Sequence, residues 1–272
     1  MTKPEPQEPP ERTLRRWTGT RLLGGTTSEN SLGPDPVTGP AGDRQPKSGQ
    51  AAPLLPPRAR RRAAITAACC AIVVAVLAAF AVNRSQGNAV DRPVDSWLRQ
   101  HLGSHLHLLS DISYLGGGQA TAVLTVILIA ACLVARRLNA AVLTLVSVAV
   151  AAGLTEYVLK PLVHETIRGS LTYPSGHTSS LFTLIAVIGV LLVDTPRQRP
   201  RPAARLLLMA GLVIIGCLVA VAVIGLRYHY FTDTIAGAAW GTCVALTATF
   251  LVDMPGVRRL LGATRLSRRR DS

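Results

Sequence analysis

The sequence predicts an all-α integral membrane protein, a six-transmembrane-helix bundle with both termini in the cytoplasm. Of its 272 residues, 49% are hydrophobic and only 16% are charged, so long apolar segments must alternate with short polar ones. The charges are unbalanced, with 29 Lys and Arg against 15 Asp and Glu and a formal net charge of +14. Apolar segments with basic ends are typical of membrane spans.

Residues 1–57 precede the first apolar segment. They are rich in Pro, Gly, Ser, Thr and charged residues and have no sustained apolar periodicity. Such a composition cannot bury enough apolar surface to fold. We therefore expect a disordered, proline-rich basic tail in the cytoplasm.

Six apolar segments follow, each of about 16 to 22 residues and thus able to cross roughly 30 Å of hydrocarbon. They run approximately over residues 63–82, 119–135, 138–159, 178–193, 206–226 and 234–252. The segments predict a membrane domain over residues 58–253, with short loops and no lipid-exposed sheet. A second basic cytoplasmic tail is predicted over residues 254–272.

The arginines predict the orientation. They precede the first span, join the second to the third and the fourth to the fifth, and follow the sixth, as at Arg62, Arg137, Arg201 and Arg258. Positive charge collects on the cytoplasmic side, so both termini are expected inside a multi-pass plasma-membrane protein. Nucleic-acid binding is disfavoured, because the arginines mark span ends rather than one folded face. Anionic lipid is the simpler partner.

The segment between the first two spans is predicted to be an amphipathic helix on the outer membrane surface. Its leucines recur at helical spacing from Leu98 to Leu109. His101 and His105 share a face and could hold a metal, but no third ligand is nearby. We therefore predict no metal and no cofactor.

Two short polar clusters lie between apolar segments, at residues 173–177 (YPSGH) and 227–233 (RYHYFTD). With the amino terminus inside, the third and the fifth span both end on the outer side, where these clusters follow. Ionisable residues in such positions are expensive unless they function. We expect the two clusters to form one shared site.

The first cluster is suited to binding an oxyanion. Lys160 ends the third span, Arg168 follows eight residues later, and the Ser175-Gly176-His177 turn opens the fourth helix. Backbone N–H groups at a helix start, a hydroxyl and two cations favour a multiply charged anion such as phosphate. His177 can donate or accept a proton.

The second cluster supplies a nucleophile. His229 and Asp233 are spaced i, i+4, so the carboxylate can reach the imidazole and fix its tautomer. The other ring nitrogen is then free to attack an electrophile. Arg227 adds a further cation.

These residues together resemble the type 2 phosphatidic acid phosphatase superfamily of membrane lipid phosphate phosphatases. The family motifs are Lys, six residues, Arg-Pro; then PSGH; then Ser-Arg, five residues, His, three residues, Asp. Here seven residues separate Lys160 from Arg168, and Gly169 replaces the proline. Glu165 adds a negative charge near the expected phosphate, and Val223 stands where the third motif has arginine. Arg227 is the local substitute.

The resemblance implies a metal-independent phosphatase. His229 would attack phosphorus and form a phosphohistidine, held by Asp233, while His177 would protonate the leaving group and then activate water. The phosphoryl oxygens would be held by Lys160, Arg168, Arg227, the Ser175 hydroxyl and the Gly176 N–H.

An outer interfacial site suits a lipid phosphate or diphosphate as substrate: a polyprenyl phosphate, phosphatidic acid or phosphatidylglycerol phosphate. Two alternatives stay open. The altered motifs are also compatible with a catalytically silent membrane scaffold that binds lipid or protein. A phosphotransferase of the same fold would use the same residues with an acceptor other than water.

Overall fold

The structure, a computed structural model, describes residues 53–193 and 201–270, and for residues 263–270 it describes the backbone only. Most of the predicted amino-terminal tail, at residues 1–52, lies outside the described residues. So does most of the arginine-rich loop between the fourth and fifth spans.

The first half of the described chain is helical. Its elements are α1 Pro57–Ala81, α2 Asp91–Leu102, α3 Leu106–Tyr114, α4 Gly118–Val134 and α5 Leu138–Leu154. A short 3₁₀ turn, Gly103–His105, separates α2 from α3. After α5, a π-helical turn at Thr155–Leu159 leads into the one-turn helix α6, Lys160–Val163.

A small hairpin follows, and helices complete the fold. Strands β1 Thr166–Ile167 and β2 Ser170–Leu171 pair antiparallel, with Thr166 opposite Leu171 and Ile167 opposite Ser170. The remaining helices are α7 Gly176–Val193, α8 Pro202–Gly225, α9 Phe231–Val252 and α10 Pro255–Arg270. Helices α1 and α8 both begin at a proline, whose fixed φ suits a first helical turn and whose missing N–H is not needed there.

Six helical stretches within the described residues are long and apolar enough to cross a membrane. They are α1, the stretch from α2 to α4, α5 with α6, α7, α8 and α9. Each predicted segment coincides with one of them, so the prediction of an all-α, six-span membrane protein is confirmed. The predicted tail after residue 253 contains α10.

Helices α7 and α9 pack at glycines. A Cβ atom at Gly237 would overlap the Thr178 hydroxyl, and one at Gly241 would overlap the backbone oxygen of Ser179. Small residues let two helix backbones approach closely in a membrane, where no hydrophobic force drives helices together. This contact fixes the start of α7 against the start of α9.

The first and last residues of the membrane domain contact each other at the end of the bundle away from the starts of α7 and α9. Asp253, after α9, is buried and accepts hydrogen bonds from the N–H groups of Leu54 (2.7 Å) and Leu55 (3.1 Å). Leu54 and Leu55 are themselves buried in the apolar core. Leu54 and Leu55, which the sequence assigned to the amino-terminal tail, thus pack against the membrane domain.

The amphipathic segment folds as α2 and α3 and holds the start of α9. Asp91, which is fully buried, accepts a hydrogen bond from the Thr232 N–H (2.9 Å), and Asp95 accepts one from the Phe231 N–H (3.2 Å). These N–H groups are unpaired within the helix, and carboxylates favour the positive end of its dipole. Helix α2 thus caps the amino-terminal end of α9.

The α7–α9 contact predicts an effect of Gly241→Ala. The added methyl must push the two helices apart, because the atom it meets belongs to the Ser179 backbone, and such overpacking costs roughly 1–3 kcal/mol. Thermal unfolding of the detergent-purified variant should show a lower Tm. Gly211→Ala on α8 is the matched control, because a Cβ there meets nothing within 4 Å. Equal Tm values for both variants would contradict the packing argument.

Candidate active site

A cavity of about 610 Å³ lies at the end of the bundle where α5 and α8 finish and α7 and α9 begin. The two polar clusters meet there, as predicted for one shared site. Six of the predicted site residues line it: Lys160, Arg168, Gly176, His177, Arg227 and His229. Ser175 and Asp233 are both fully buried and lie behind its wall.

The nearest partner of the His229 ring is a backbone carbonyl oxygen, not the Asp233 carboxylate. Its Nδ1 lies 3.1 Å from the Thr172 carbonyl oxygen, which fixes a proton on Nδ1. The nearest Asp233 oxygen, Oδ2, is 3.7 Å from the same nitrogen. Asp233 therefore acts on the ring through charge, while the Thr172 carbonyl orients it. The other nitrogen, Nε2, carries a lone pair.

Asp233 also joins the two clusters. Its Oδ2 accepts a hydrogen bond from the Tyr230 N–H (3.0 Å), which caps the first turn of α9. Its backbone oxygen accepts one from the Ser175 N–H (3.1 Å). The second bond ties the loop before α7 directly to α9.

The rings of His177 and His229 lie close together at the surface of the cavity. The ring centroids of His177 and His229 are 5.9 Å apart, with the rings edge to face. An attacking histidine and an acid for the leaving group must lie this close together to act on one phosphoryl group. The cavity holds both rings at its surface.

Ser175 takes a different place from the one predicted. Its hydroxyl oxygen accepts a hydrogen bond from the Thr178 N–H at 3.5 Å, so it caps α7. A fully buried hydroxyl that does not border the cavity cannot bind a phosphoryl oxygen without movement. Ser180, one turn further along α7, borders the cavity instead.

The departure from the first family motif forms a two-residue hairpin turn. Arg168 and Gly169 join β1 to β2 with φ angles of 51° and 83°. Two positive φ values match the type I′ turn, for which glycine is preferred. Proline, fixed near −65°, cannot occupy the position of Gly169. The extra residue and the glycine together therefore direct Arg168 to the cavity.

The departure from the third motif is buried in the core. Val223 is fully buried in an apolar cluster with Leu181, Ile185 and Val219. It supplies no charge. Arg227 follows the end of α8 in a left-handed conformation, φ 62°, and borders the cavity. The substitution of one arginine position for another is thus consistent with this geometry.

Lys160 has a partner that the motif reading missed. Its Nζ lies 2.6 Å from Oε1 of Glu156, one turn earlier, and both residues border the cavity. Glu156 belongs to the π-helical turn, a feature found frequently at functional sites. The i, i+4 spacing of Glu156 and Lys160 was the available sequence signal. No sequence signal pointed to Thr172, because its backbone carbonyl makes the contact with His229.

Glu165 does not place a negative charge beside the phosphate position, contrary to expectation. Its side chain is buried and does not border the cavity. Burial first, and then its contact with Asp233, raise the pKa of this carboxyl to about 10. It is therefore neutral at pH 7. In the described part of the chain, no group of three His, Cys, Asp or Glu is placed to hold a metal ion.

The fold and the site are similar to those of PAP2-type membrane proteins. Residues 153–255, which contain every predicted site residue, match the model of the PAP2 superfamily. The fold is similar to that of the first transmembrane PAP2-type phosphatidylglycerolphosphate phosphatase from Bacillus subtilis, with a TM-score of 0.56 and 18% identity. That match covers 68% of this chain and 95% of the other. No curated protein matches the chain significantly. The resemblance inferred from the motifs is confirmed.

The hairpin turn predicts that restoring the family dipeptide will harm the protein. Gly169→Pro must break the turn, because proline cannot adopt a φ of +83°. Gly169→Ala should cost about 1 kcal/mol, the usual penalty for a left-handed alanine. Thermal unfolding in detergent, with and without inorganic phosphate, measures both effects.

We expect the proline variant to lose the stabilisation by phosphate, because Arg168 is displaced. Gly103→Ala is the control, since its surroundings are open. An undiminished phosphate response in Gly169→Pro would refute the role assigned to the turn.

Proposed function

We propose that the protein is a membrane phosphatase that hydrolyses a lipid phosphate or diphosphate through a phosphohistidine intermediate. The observation that supports this most directly is a single cavity bordered by two histidines and three cationic side chains. Phosphoryl transfer depends on positioning and on charge stabilisation, and these residues provide both.

In the first step, Nε2 of His229 attacks phosphorus. The bond from phosphorus to the lipid oxygen breaks, and His177 gives its proton to that leaving oxygen. The hydrogen bond from Nδ1 to the Thr172 carbonyl keeps the lone pair on Nε2. The Asp233 carboxylate, 3.7 Å away, stabilises the positive charge that develops on the ring.

In the second step, His177 takes a proton from water, and the water oxygen attacks phosphorus. The bond between phosphorus and nitrogen breaks, its electron pair returns to Nε2, and inorganic phosphate leaves. His177 thus serves first as acid and then as base. Both histidines return to their starting protonation states.

The cations hold the phosphoryl oxygens in both steps. Arg168 and Arg227 border the same cavity, which is the arrangement that distinguishes an enzyme from a scaffold whose Arg227 points to lipid. Lys160 is paired with Glu156 in the free protein, and a phosphoryl group would compete for it. No step requires a metal, because these cations neutralise the developing charge.

The substrate class follows from the position of the cavity. Two small residues, Gly118 and Ala152, border it where α4 begins and α5 ends, and a Cβ at Gly118 would meet nothing within 4 Å. This side has room for an acyl or prenyl chain that stays in the bilayer while its phosphate reaches the cations. The candidates are polyprenyl phosphates and diphosphates, phosphatidic acid and phosphatidylglycerol phosphate.

The cavity is proposed to face the extracytoplasmic side. It lies at the end of the bundle away from Leu54 and Asp253, and the basic residues Arg60, Arg137 and Arg258 mark that other end. Positive charge favours the cytoplasmic side.

Cysteine labelling tests this orientation. In a background with the five native cysteines replaced, Ser104→Cys, exposed in the turn between α2 and α3, should react with a membrane-impermeant maleimide on intact cells. Gly256→Cys, exposed in the first turn of α10, should react only after permeabilisation. The reverse pattern would place the cavity in the cytoplasm.

Phosphate release by detergent-purified protein tests the activity. Wild type is offered polyprenyl diphosphates, phosphatidic acid and phosphatidylglycerol phosphate, each with EDTA present. We expect release that EDTA spares and that His229→Ala lowers on the order of a thousandfold or more, since the nucleophile is gone. His107→Ala, an exposed histidine on α3, is the matched control.

Arg227→Ala separates the alternatives further. Removing one positioned cation should lower kcat/KM about a hundredfold, whereas the exposed Arg62→Ala should not. Release no greater than the His229→Ala background on every lipid would favour the scaffold. Loss of lipid phosphate without free phosphate would indicate a transferase.

A further inference from the structure

Glu165 is a buried carboxyl group for which the proposed mechanism has no use. It lies between α6 and β1, is 1% exposed, and neither of its side-chain oxygens has a hydrogen-bond partner as an acceptor. An unpartnered buried carboxylate is costly, whereas a neutral carboxyl that donates its proton is not. The position therefore requires a nearby acceptor.

That acceptor is Asp233. Its Oδ2 accepts from the Tyr230 N–H, while its Oδ1 is buried and unpartnered. The Glu165 and Asp233 side chains are neighbours, and their three unpartnered oxygens are all acceptors unless one of them carries a proton. A shared proton would join the two carboxyl groups in a hydrogen bond. We place that proton on Glu165, because Asp233 accepts a backbone hydrogen bond at the start of α9, where a negative charge is favoured.

The surroundings of Glu165 agree with a neutral state. The charged and titratable groups that face it are Asp233 and Tyr230 at the start of α9, Asp91 on α2, Arg84 after α1 and Tyr173 before α7. Only Arg84 favours the ionised form, against two carboxylates and burial. These influences raise the pKa of Glu165 to about 10.

The backbone of Glu165 also supports His229, through Thr172. Its carbonyl oxygen accepts a hydrogen bond from the Thr172 N–H (2.9 Å), and the Thr172 carbonyl orients His229. Side chain and main chain of one residue thus support both partners of the His229 ring.

We propose that Glu165 is a positioning residue, whose protonated carboxyl donates a hydrogen bond to Asp233 Oδ1 and so fixes the carboxylate that faces His229. This inference rests on the proposed function. Glu165 also keeps the pair at one negative charge, because a second charge would repel the incoming phosphate.

Three variants test the proposal. Glu165→Gln keeps an N–H donor that cannot ionise, and its kcat at pH 7 should stay within about threefold of wild type. Glu165→Ala removes the donor and should lower kcat about tenfold or more, with KM little changed, since it misplaces a group rather than a substrate contact. In an Asp233→Ala background, Glu165→Ala should add no further loss, because the effect passes through Asp233.

The pH dependence gives the sharpest contrast. Wild-type kcat should fall, relative to Glu165→Gln, about threefold to fourfold between pH 8 and 10.5, as Glu165 ionises beside Asp233. All other groups are identical in the two proteins, so the ratio reports Glu165. Failure of glutamine to restore activity, losses that multiply in the double variant, or a constant ratio would each overturn the proposal.

A second readout needs no substrate. Folded Glu165 keeps its proton up to about pH 10, whereas an unfolded glutamate releases it near 4.5, so this group contributes less stability as pH rises between those values. Wild-type Tm should therefore fall relative to Glu165→Gln from pH 6 to 9.5. Parallel Tm curves would overturn the proposal. A falling wild-type curve with no phosphate release would support the neutral carboxyl and overturn only the phosphatase.

Discussion

Helices α7 and α9 are so close that only glycine fits at positions 237 and 241. The rest of the site depends on this contact. Because α7 begins at Gly176 and α9 at Phe231, the same packing sets His177 opposite His229. The hydrogen bond from the Ser175 N–H to the Asp233 carbonyl closes the arrangement at its outer end. Two motifs more than fifty residues apart in sequence are thereby held by backbone atoms rather than by long side chains.

Charge is separated around the start of α9. Asp91, Asp95 and Asp233 are buried behind it and accept its free N–H groups, while Arg168, Arg227 and Lys160 border the cavity in front. The positive end of the helix dipole favours carboxylates there, but each added negative charge would weaken the binding of a phosphate. A neutral Glu165 fits this arrangement, because it fills the same region without adding charge. The outer helix α2 therefore contributes to the site although it does not border the cavity.

Hydropathy predicted the six spans to within a few residues, because a bilayer allows few alternatives to apolar helices. Local motifs predicted His177, His229 and the cations, since these residues lie in or next to the short segments that join the spans. The contact of the Thr172 carbonyl with His229 and the capping of α9 by Asp91 could not be predicted, because such contacts join distant segments and leave no local pattern. Ser175 was misplaced for a related reason: a serine before a helix can cap it or face a ligand, and the sequence fits both.

The altered motifs are best understood through what phosphate binding requires. Attraction between a guanidinium and a phosphoryl group depends on distance and direction and not on which backbone position carries the side chain. Val223 could become an apolar core residue because Arg227, beyond the end of α8, reaches the same cavity. In the same way, the hairpin turn brings Arg168 to the cavity although Gly169 stands where the family has proline. Both arginines have left-handed backbone conformations, which non-glycine residues adopt rarely. Asn83, Arg136 and His164 adopt the same conformation without bordering the cavity, so the backbone alone does not mark a phosphate site. The stronger argument is that Arg168 and Arg227 border one cavity, because two cations on the same cavity are costly to keep together unless an anion binds between them.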